Sequence, residues 1–218
     1  MDSYVKICYT KIGGIDSDKV SITSLRGFFG NYFINIPEFH HHSESSYHYP
    51  MIQYKKIGKE LIIMGISKYA EVVFEKLSTI NKIVINNKEI TVNNIQIEIT
   101  KNKVKLLENT NYQFLTPWLA LNEENYKIYL KLASKEQKLF LERILVGNIL
   151  SMLKGLGIRI DFKIEAKISK ISSKTILAHS NKFVGFYSNW NSNILIPKYC
   201  GLGKSVSKGY GTIIKKDN

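Results

Sequence analysis

Hydrophobic positions in the first half of the chain follow strand and helix periodicities in turn. Runs rich in β-branched and aromatic residues predict strands in residues 4–12, 51–66 and 82–100. The second run turns at a Gly-Lys pair and the third at Asn-rich turns, so each contains more than one strand. Apolar residues at helical intervals predict helices in residues 20–33 and 68–80. The predicted order of this half is therefore β-α-β-β-α-β.

The second half of the chain partly repeats this order. It begins near residues 111–121 and continues through a helical stretch from Glu123 to about Gly155. Three successive strand-like segments follow, and these are residues 162–171, 175–180 and 182–190. An apolar stripe at helical spacing predicts core packing for Leu139, Ile144, Leu145, Ile149 and Leu153.

A β-α-β-β-α-β unit is the ferredoxin-like plan, which RNA-recognition modules also use. We therefore predict an α+β protein made of two tandem ferredoxin-like domains, residues 1–105 and residues 106–218. The boundary, near residues 106–111, depends on the repeated pattern alone, because no Pro- or Ser-rich linker separates the halves.

The composition is that of a globular protein with a strongly basic character. Hydrophobic residues make up 44% of the chain, and 31 Lys and Arg against 18 Asp and Glu give a net charge of +13. The charge favours a polyanionic partner, and residues 106–218 carry +9 of it against +4 for residues 1–105. A solvated, self-repelling surface is the alternative that charge alone leaves open.

The sequence gives no sign of a membrane protein or of a disulfide framework. No apolar run reaches the length of a membrane span, and the N-terminal residues lack the pattern of a signal peptide, so a cytoplasmic protein is expected. Cys8 and Cys200 lie far apart, and we expect both to be buried as small apolar residues.

Four of the five histidines lie within residues 38–50, and these are His40, His41, His42 and His48. Three contiguous histidines can bind zinc or nickel, but adjacent side chains diverge on an extended loop. Because Glu38 and Glu44 also lack a clear ligand spacing, we expect no metal site here. A merely solvated polar loop is the other alternative. His179 stands alone and is expected to be structural.

A glycine-rich loop lies close to the C-terminus at residues 201–211. Glycines permit positive φ and close backbone approach, so their N–H groups can face phosphate oxygens while neighbouring side chains add charge and hydroxyl donors. The candidate RNA-binding residues are Gly201, Gly203, Lys204, Ser205, Ser207, Lys208, Gly209 and Gly211. The spacing fits neither a Walker A loop nor a dinucleotide-binding fingerprint, and a surface turn is the alternative.

This glycine loop, preceded by NILIPKYC and followed by TIIKK, resembles the C-terminal signature of the RAMP superfamily of CRISPR-associated proteins. Within that superfamily the chain is similar to the endoribonucleases that process CRISPR repeat transcripts. The similarity extends to SLRGFFGNYF, a His-x-His loop, YPMIQYKKI and FLTPWLALN, in that order. The chain looks closest to the variety associated with subtype I-B systems.

The resemblance implies tandem ferredoxin-like domains that cleave repeat RNA without a metal or other cofactor. It places His40 and His42 at the family's His-x-His positions, with His41 as a departure that fills the gap. If the loop is extended, side chains two residues apart point to one side, which favours the 40/42 pair over the 40/41 pair. The products implied are a 2′,3′-cyclic phosphate and a 5′-hydroxyl.

Three further residues lie in segments that resemble the family. Arg26 is a candidate for RNA binding, and Tyr49 and Lys55 are candidates for supporting catalysis. The alternatives are a partly packed helix residue for Arg26, the start of the next strand for Tyr49 and a solvated strand residue for Lys55.

The sequence is also compatible with two other functions. One is a non-catalytic RNA-binding subunit of a CRISPR ribonucleoprotein, because one fold supports many functions. The other is a metal-dependent nuclease. The expected partners are CRISPR repeat RNA, a multi-subunit CRISPR effector complex and a second copy of the chain in a homodimer, with no membrane contact.

Overall fold

The computed structural model describes residues 3–40, 48–178 and 181–216 of the chain. The helices in these ranges are α1 (Ile22–Tyr32), α2 (Pro37–His40), α3 (Tyr69–Leu77), α4 (Glu123–Tyr129) and α5 (Ser134–Gly155), with a 3-10 helix at Val206–Lys208. The strands are β1 (Ser3–Gly13), β2 (Ile52–Ile57), β3 (Glu60–Ile66), β4 (Lys82–Ile85), β5 (Lys88–Thr91), β6 (Asn94–Phe114), β7 (Ala166–Ala178), β8 (Asn181–Leu195) and β9 (Ile213–Lys215). His41, His42 and His179 lie outside the described residues.

The chain forms two compact units. The N-terminal unit contains residues 4–102 together with residues 207–209, and the C-terminal unit contains residues 103–206 and 210–216. Strand β6 is long, so its first residues belong to the N-terminal unit and its last residues to the C-terminal unit.

An antiparallel sheet and two longer helices build the N-terminal unit. Its strands lie in the order β2-β3-β1-β6, and β3 runs antiparallel to both β1 and β2. One face of this sheet directs Cys8, Tyr54 and Ile63 into an apolar core, which α1 and α3 complete with Leu25 and Val73. The strand order and the helices on one face confirm the ferredoxin-like prediction for this unit.

The C-terminal unit repeats the strand order with one changed connection. Its strands lie in the order β9-β6-β8-β7, and each neighbouring pair is antiparallel. Helix α5 packs against β7. Between β8 and β9, where the ferredoxin-like plan has its second helix, the chain forms the glycine-rich loop with the short helix Val206–Lys208. The predicted α+β class with tandem ferredoxin-like domains is thus confirmed, with a loop in place of one helix.

The helical stretch predicted from residue 123 to residue 155 is two helices, α4 and α5. The break occurs because residues 130–132 form a turn and Ala133 is extended, with φ −68° and ψ 157°. Each new N-terminus has a polar partner: Asn122 accepts a hydrogen bond from the Asn125 N–H at 2.7 Å, and Glu136 accepts one from the Ala133 N–H at 3.0 Å.

The apolar stripe predicted on this stretch is correct in its C-terminal part. Leu145, Ile149 and Leu153 are buried, as is Leu141, which the prediction omitted. Leu139 is 45% exposed, so its prediction as a core residue is wrong. It lies two residues before Leu141 in α5, which is about 200° around the helix, so it faces away from the core.

Segments 162–171 and 175–180, predicted as separate strands, are largely one strand, β7. It pairs continuously with β8 through Ser172 and Ser173, because ladder hydrogen bonds use the backbone whatever the side chain. Both cysteines are buried, as predicted. Within the part of the chain that the structure describes, no helix is both long and apolar enough to span a membrane.

Candidate active site

Helix α2 carries the first of the two predicted catalytic histidines. It is a single turn that begins with Pro37, a residue whose fixed φ suits the first helical position. Phe39 is completely buried and its ring lies 4.7 Å from that of Phe33. The hydroxyl of Tyr54, on β2, donates a hydrogen bond to the Phe39 carbonyl at 3.3 Å. These contacts fix the backbone immediately before His40.

Arg26 fixes the backbone at His40 itself. From α1, its Nη2 donates a hydrogen bond to the His40 carbonyl oxygen. Burial lowers the pKa of the Arg26 guanidinium, although an arginine remains charged at neutral pH. Its Nε is buried and has no hydrogen-bond partner among the residues that the structure describes. Arg26 therefore positions His40 directly, a role that the sequence prediction did not assign to it.

The imidazole of His40 lies against Gly30 of α1. A Cβ atom at position 30 would stand only 2.7 Å from Nδ1 of His40, which is closer than a side chain tolerates. The absence of a side chain at Gly30 therefore leaves the space that the imidazole occupies. Gly30 lies within the segment SLRGFFGNYF, but its spacing predicts no role, because only the folded contact shows why a side chain is excluded.

Helix α3 also contacts α2. The Tyr69 hydroxyl donates a hydrogen bond to Oε1 of Glu38. Burial of the phenol, together with the nearby Glu38 carboxylate, raises the pKa of Tyr69 to about 12. Glu38 therefore serves as an anchor for the helix that carries His40.

The tip of the glycine-rich loop, residues 207–209, belongs to the N-terminal unit. Gly209 has φ +88°, and a Cβ there would lie 2.9 Å from the Tyr54 carbonyl oxygen, so this position needs glycine. Lys208 is half-buried, and burial first, then the charge of Arg26, lowers the pKa of its ammonium. The fold therefore brings Lys208 into electrostatic range of Arg26, which itself binds the His40 backbone.

The two predicted supporting residues are both buried. Lys55, on β2, is 0% exposed, so its interpretation as a solvated strand residue is wrong. Tyr49 is 6% exposed and precedes β2 by a few residues. Neither side chain reaches solvent sufficiently to contact a phosphate directly in this conformation. Both were placed near the site by their neighbours in sequence, and burial is set by long-range packing that spacing does not reveal.

The part of the glycine loop that lies in the C-terminal unit is tightly packed. A Cβ at Gly203 would lie 2.8 Å from the Trp118 ring, and one at Gly211 would lie 1.9 Å from the Leu202 carbonyl oxygen. Gly201 is also buried, and it bridges Thr212. These glycines provide space for their neighbours.

The backbone donors of this loop are used within the protein. The N–H groups of Leu202, Lys204 and Gly211 donate hydrogen bonds to carbonyl oxygens of Gly211, Leu119 and Pro117 at 2.9–3.1 Å. The predicted cradle of backbone N–H groups facing a phosphate is therefore wrong at these positions. Among the predicted loop residues, Lys204 is exposed, Ser205 is half-buried with φ +55°, and Ser207 is buried.

Comparisons with known protein families agree over both halves of the chain. Residues 5–103 match the Cas6b N-terminal domain, and residues 105–216 match the Cas6b C-terminal domain. An uncharacterised protein of Methanocaldococcus jannaschii is 43% identical over 104 residues, which are 48% of this chain and 71% of that protein.

Two solved structures are similar to nearly the whole chain. One is a crystal structure of Cas6b, with a TM-score of 0.91 and 30% identity, covering 98% of this chain and 100% of that chain. The other is a crystal structure of the CRISPR RNA processing endoribonuclease Cas6b, with a TM-score of 0.79 and 28% identity over the same shares of the two chains.

Proposed function

This chain belongs to the Cas6b family, and we therefore propose that it is a metal-independent endoribonuclease that cleaves the repeat RNA of CRISPR precursor transcripts. The similar structure that is named a CRISPR RNA processing endoribonuclease supports this activity. In our proposal the RNA's own 2′-hydroxyl attacks the neighbouring phosphorus. The P–O5′ bond breaks, leaving a 2′,3′-cyclic phosphate and a 5′-hydroxyl.

The reaction needs one group to remove the 2′-hydroxyl proton and another to protonate the departing 5′-oxygen. We assign these two roles to the pair His40 and His42, because imidazole can act as acid or base near neutral pH. Positioned acid–base catalysis of this kind contributes typically about 10² to 10⁴-fold in rate.

The observation that carries the proposal is the fixed position of His40. Arg26 binds its carbonyl, Tyr54 binds the carbonyl of the preceding residue, and Gly30 leaves room for its imidazole. A catalytic group must be held in place before the reaction, since misplacement costs rate. A loop that was merely solvated would not need this set of contacts.

Two cations next to this histidine support the assignment to a phosphate substrate. Lys208 and Arg26 are both half-buried and interact electrostatically. Cations held close together in a partly desolvated place favour an anion between or beside them, such as the phosphorane that forms during cleavage. We propose that Lys208 contacts the substrate phosphate and that exposed Lys204, with Ser205, binds RNA outside the scissile bond.

The buried residues receive indirect roles in this proposal. Lys55 and Tyr49 support the site by packing around β2 rather than by touching the scissile phosphate, because both are at least nine-tenths buried. Gly209 serves to bring residues 207–209 against the Tyr54 backbone. Association with a CRISPR effector complex, or with a second copy of the chain, remains a prediction.

A cleavage assay with repeat RNA in EDTA tests the proposal. We expect the wild type to cut at one position and His40→Ala and His42→Ala to lose about 10²-fold or more in rate. His48→Ala changes an exposed histidine outside α2, so it is the matched control and should cut normally. A substrate with a 2′-deoxy residue at the scissile position should stay intact.

Three outcomes would contradict the mechanism. Equal cleavage of the 2′-deoxy substrate would exclude attack by the 2′-hydroxyl. Loss of wild-type activity in EDTA would indicate the metal-dependent alternative. Tight binding of the repeat RNA without any cleavage would indicate the non-catalytic RNA-binding subunit.

A further inference from the structure

The C-terminal sheet has one buried face and one open face. Trp190 and Ile168, which pair across β8 and β7, are 1% and 2% exposed and point into the core of the C-terminal unit. Because side chains alternate along a strand, the neighbours of Trp190 point outward. A β-bulge between Ile168 and Lys170 places Lys170 opposite Asn189, on the same outward face. This open sheet face consists of Asn111 and Gln113 of β6, Tyr187, Asn189 and Asn191 of β8, and Lys167, Lys170 and Ser172 of β7.

The register of the strands arranges these side chains in rows. Asn111 pairs with Asn191, which pairs with Lys167. The next row is Gln113, Asn189 and Lys170, and the third joins Tyr187 to Ser172. Side chains directly opposite each other on neighbouring strands stand about 5 Å apart, so each row is a continuous polar strip.

The second and third of these rows line a shallow groove. Gln113, Lys170, Ser172, Tyr187 and Asn189 contribute to its walls, and its volume is about 680 Å³. In the first row, the Asn191 amide donates a hydrogen bond to Asn111 Oδ1 at 3.2 Å, which orients both amides. The side chains of Gln113, Lys170, Tyr187 and Asn189 hydrogen-bond to no other residue in the described ranges, so their polar groups are available to a ligand.

The composition of this face is unusual for a sheet that only meets water. Asparagine is disfavoured in strands, yet three asparagines and a glutamine stand side by side here. The eight residues include two lysines and no carboxylate. Glu108 and Glu165 lie beside Lys167 and Asn191, whereas the groove around Lys170 and Tyr187 offers amides, one exposed ring and positive charge without a carboxylate.

We propose that the open sheet face binds a single-stranded segment of RNA. Tyr187, 37% exposed, offers a ring on which a base stacks. The amides of Gln113 and Asn189 each present a donor and an acceptor, which match the edges of an unpaired base. Lys170 and Lys167 attract the phosphates. Paired bases would present neither free faces nor free Watson–Crick edges to this surface, so duplex RNA does not fit.

This inference rests on the proposed function only for the choice of RNA as the nucleic acid. Its test therefore measures binding with cleavage removed. We would titrate a labelled, single-stranded repeat RNA carrying a 2′-deoxy scissile residue against the full chain, and follow fluorescence anisotropy. Tyr187→Ala should weaken binding about five-fold or more, as expected for one lost base stack. Tyr187→Phe, which keeps the ring, should bind within about two-fold of wild type.

Matched controls separate this face from general effects of the substitutions. Tyr126 on α4 is also 37% exposed, and Tyr126→Ala should leave the affinity unchanged. Lys170→Ala should weaken binding and reduce the salt dependence of the affinity by about one phosphate contact, whereas Lys154→Ala, on α5, should not.

The inference is overturned if Tyr187→Ala binds as tightly as Tyr126→Ala, or if duplex RNA competes as well as single-stranded RNA. It survives separately from the proposed function if the wild type fails to cut repeat RNA but Tyr187→Ala still loses affinity. Conversely, normal cleavage with unchanged binding by Tyr187→Ala would remove this face and leave the proposed chemistry intact.

Discussion

The two units have the same strand order but differ at the position of the second helix of the ferredoxin-like plan. In the N-terminal unit this element is α3, which completes an apolar core and binds Glu38 through Tyr69. In the C-terminal unit it is the glycine-rich loop, whose residues 207–209 belong to the N-terminal unit. The same fold therefore occurs twice, once with α3, which contacts the helix that carries His40, and once with the glycine-rich loop, which contains Lys208.

The comparison also shows two uses of glycine. Gly30 and Gly209 in the N-terminal unit leave room for an imidazole and for the backbone of β2, both next to the candidate site. Gly203 and Gly211 in the C-terminal unit leave room for an indole and for the Leu202 carbonyl, which are packing contacts. Glycine spacing alone would assign Gly203, Gly209 and Gly211 alike to ligand binding, but the atoms next to each of them distinguish their roles.

The largest effect is expected where the C-terminal loop is packed most tightly. Gly211→Ala should lower the free energy of unfolding by about 3 kcal/mol, because the new Cβ would meet the Leu202 carbonyl oxygen and φ is +62°. Gly58→Ala is the control, since φ is +59° but nothing lies within 4 Å. It should cost about 1 kcal/mol. Urea unfolding measures both, and equal losses would show that packing at residue 211 contributes nothing.

In the N-terminal unit, Arg26 either positions His40 or binds RNA, and the kinetic constants of a variant distinguish the two roles. Arg26→Ala should lower kcat for repeat-RNA cleavage about 100-fold, because a catalytic group that is no longer held loses about that much. KM should change little. If Arg26 instead binds a phosphate, KM should rise while kcat stays near the wild-type value. Arg143→Ala, on the exposed side of α5, is the control and should alter neither constant.

Each unit contains a buried tyrosine whose hydroxyl is hydrogen-bonded to the backbone, and the two differ in the number of these bonds. In the C-terminal unit the Tyr112 hydroxyl donates to the Ile194 carbonyl at 2.9 Å and accepts from the Ile196 N–H at 2.8 Å. In the N-terminal unit the Tyr54 hydroxyl donates one hydrogen bond to a described residue, to the Phe39 carbonyl at 3.3 Å. Tyr112→Phe should cost about 2 kcal/mol, since it leaves a buried N–H unsatisfied, and Tyr54→Phe about 1 kcal/mol.

The activities of these two variants should rank in the opposite order. Tyr54→Phe should reduce cleavage several-fold, because the hydroxyl holds the backbone before His40, whereas Tyr112→Phe should cut normally at a temperature where it is folded. Urea unfolding and initial cleavage rates, measured on the same preparations, would show this. A loss of activity that simply followed stability would mean that Tyr54 has no positioning role.

Most of the fold could be predicted because hydrophobic periodicity is a local property. The strands and helices of the N-terminal half, and the repeat of the strand order, follow from spacing alone. The break at Ala133 and the merging of two segments into β7 could not be predicted, since one depends on caps and the other on pairing with β8. Element boundaries depend on partners that the local sequence does not contain.

Some residues of the candidate site could likewise be predicted from the sequence, and others could not. The histidines, Lys208 and Gly209 could be singled out because their residue types carry chemistry or permit positive φ. Gly30 and Tyr54 could not be, because their roles are contacts with residues far along the chain. Lys55 shows the converse: its charge suggested a group that contacts phosphate or, as the alternative, a solvated one, whereas packing buries it.

The smallest effect is expected at the contact between α2 and α3, where it depends on pH. Tyr69→Phe removes the hydrogen bond to Glu38 at a half-exposed position and should cost less than about 1 kcal/mol near neutral pH. Because the folded-state pKa of Tyr69 is raised to about 12, above its ordinary value of about 10, the folded chain holds this proton more tightly than the unfolded chain. The stabilisation is therefore fully present below about pH 10 and is lost as pH rises toward about 12.

Urea unfolding of the wild type and Tyr69→Phe across this range measures the difference directly. The two stabilities should differ by a constant amount below about pH 10 and converge above it. Glu38→Gln keeps an acceptor for the hydroxyl but removes the charge that helps to raise the Tyr69 pKa, so its stability should fall less steeply with pH than that of the wild type. Parallel curves for wild type and Tyr69→Phe up to about pH 12 would mean that the contact with Glu38 does not anchor α2. The helix that carries His40 would then depend on the hydrogen bonds from Arg26 and Tyr54 and on the packing of Phe39 against Phe33.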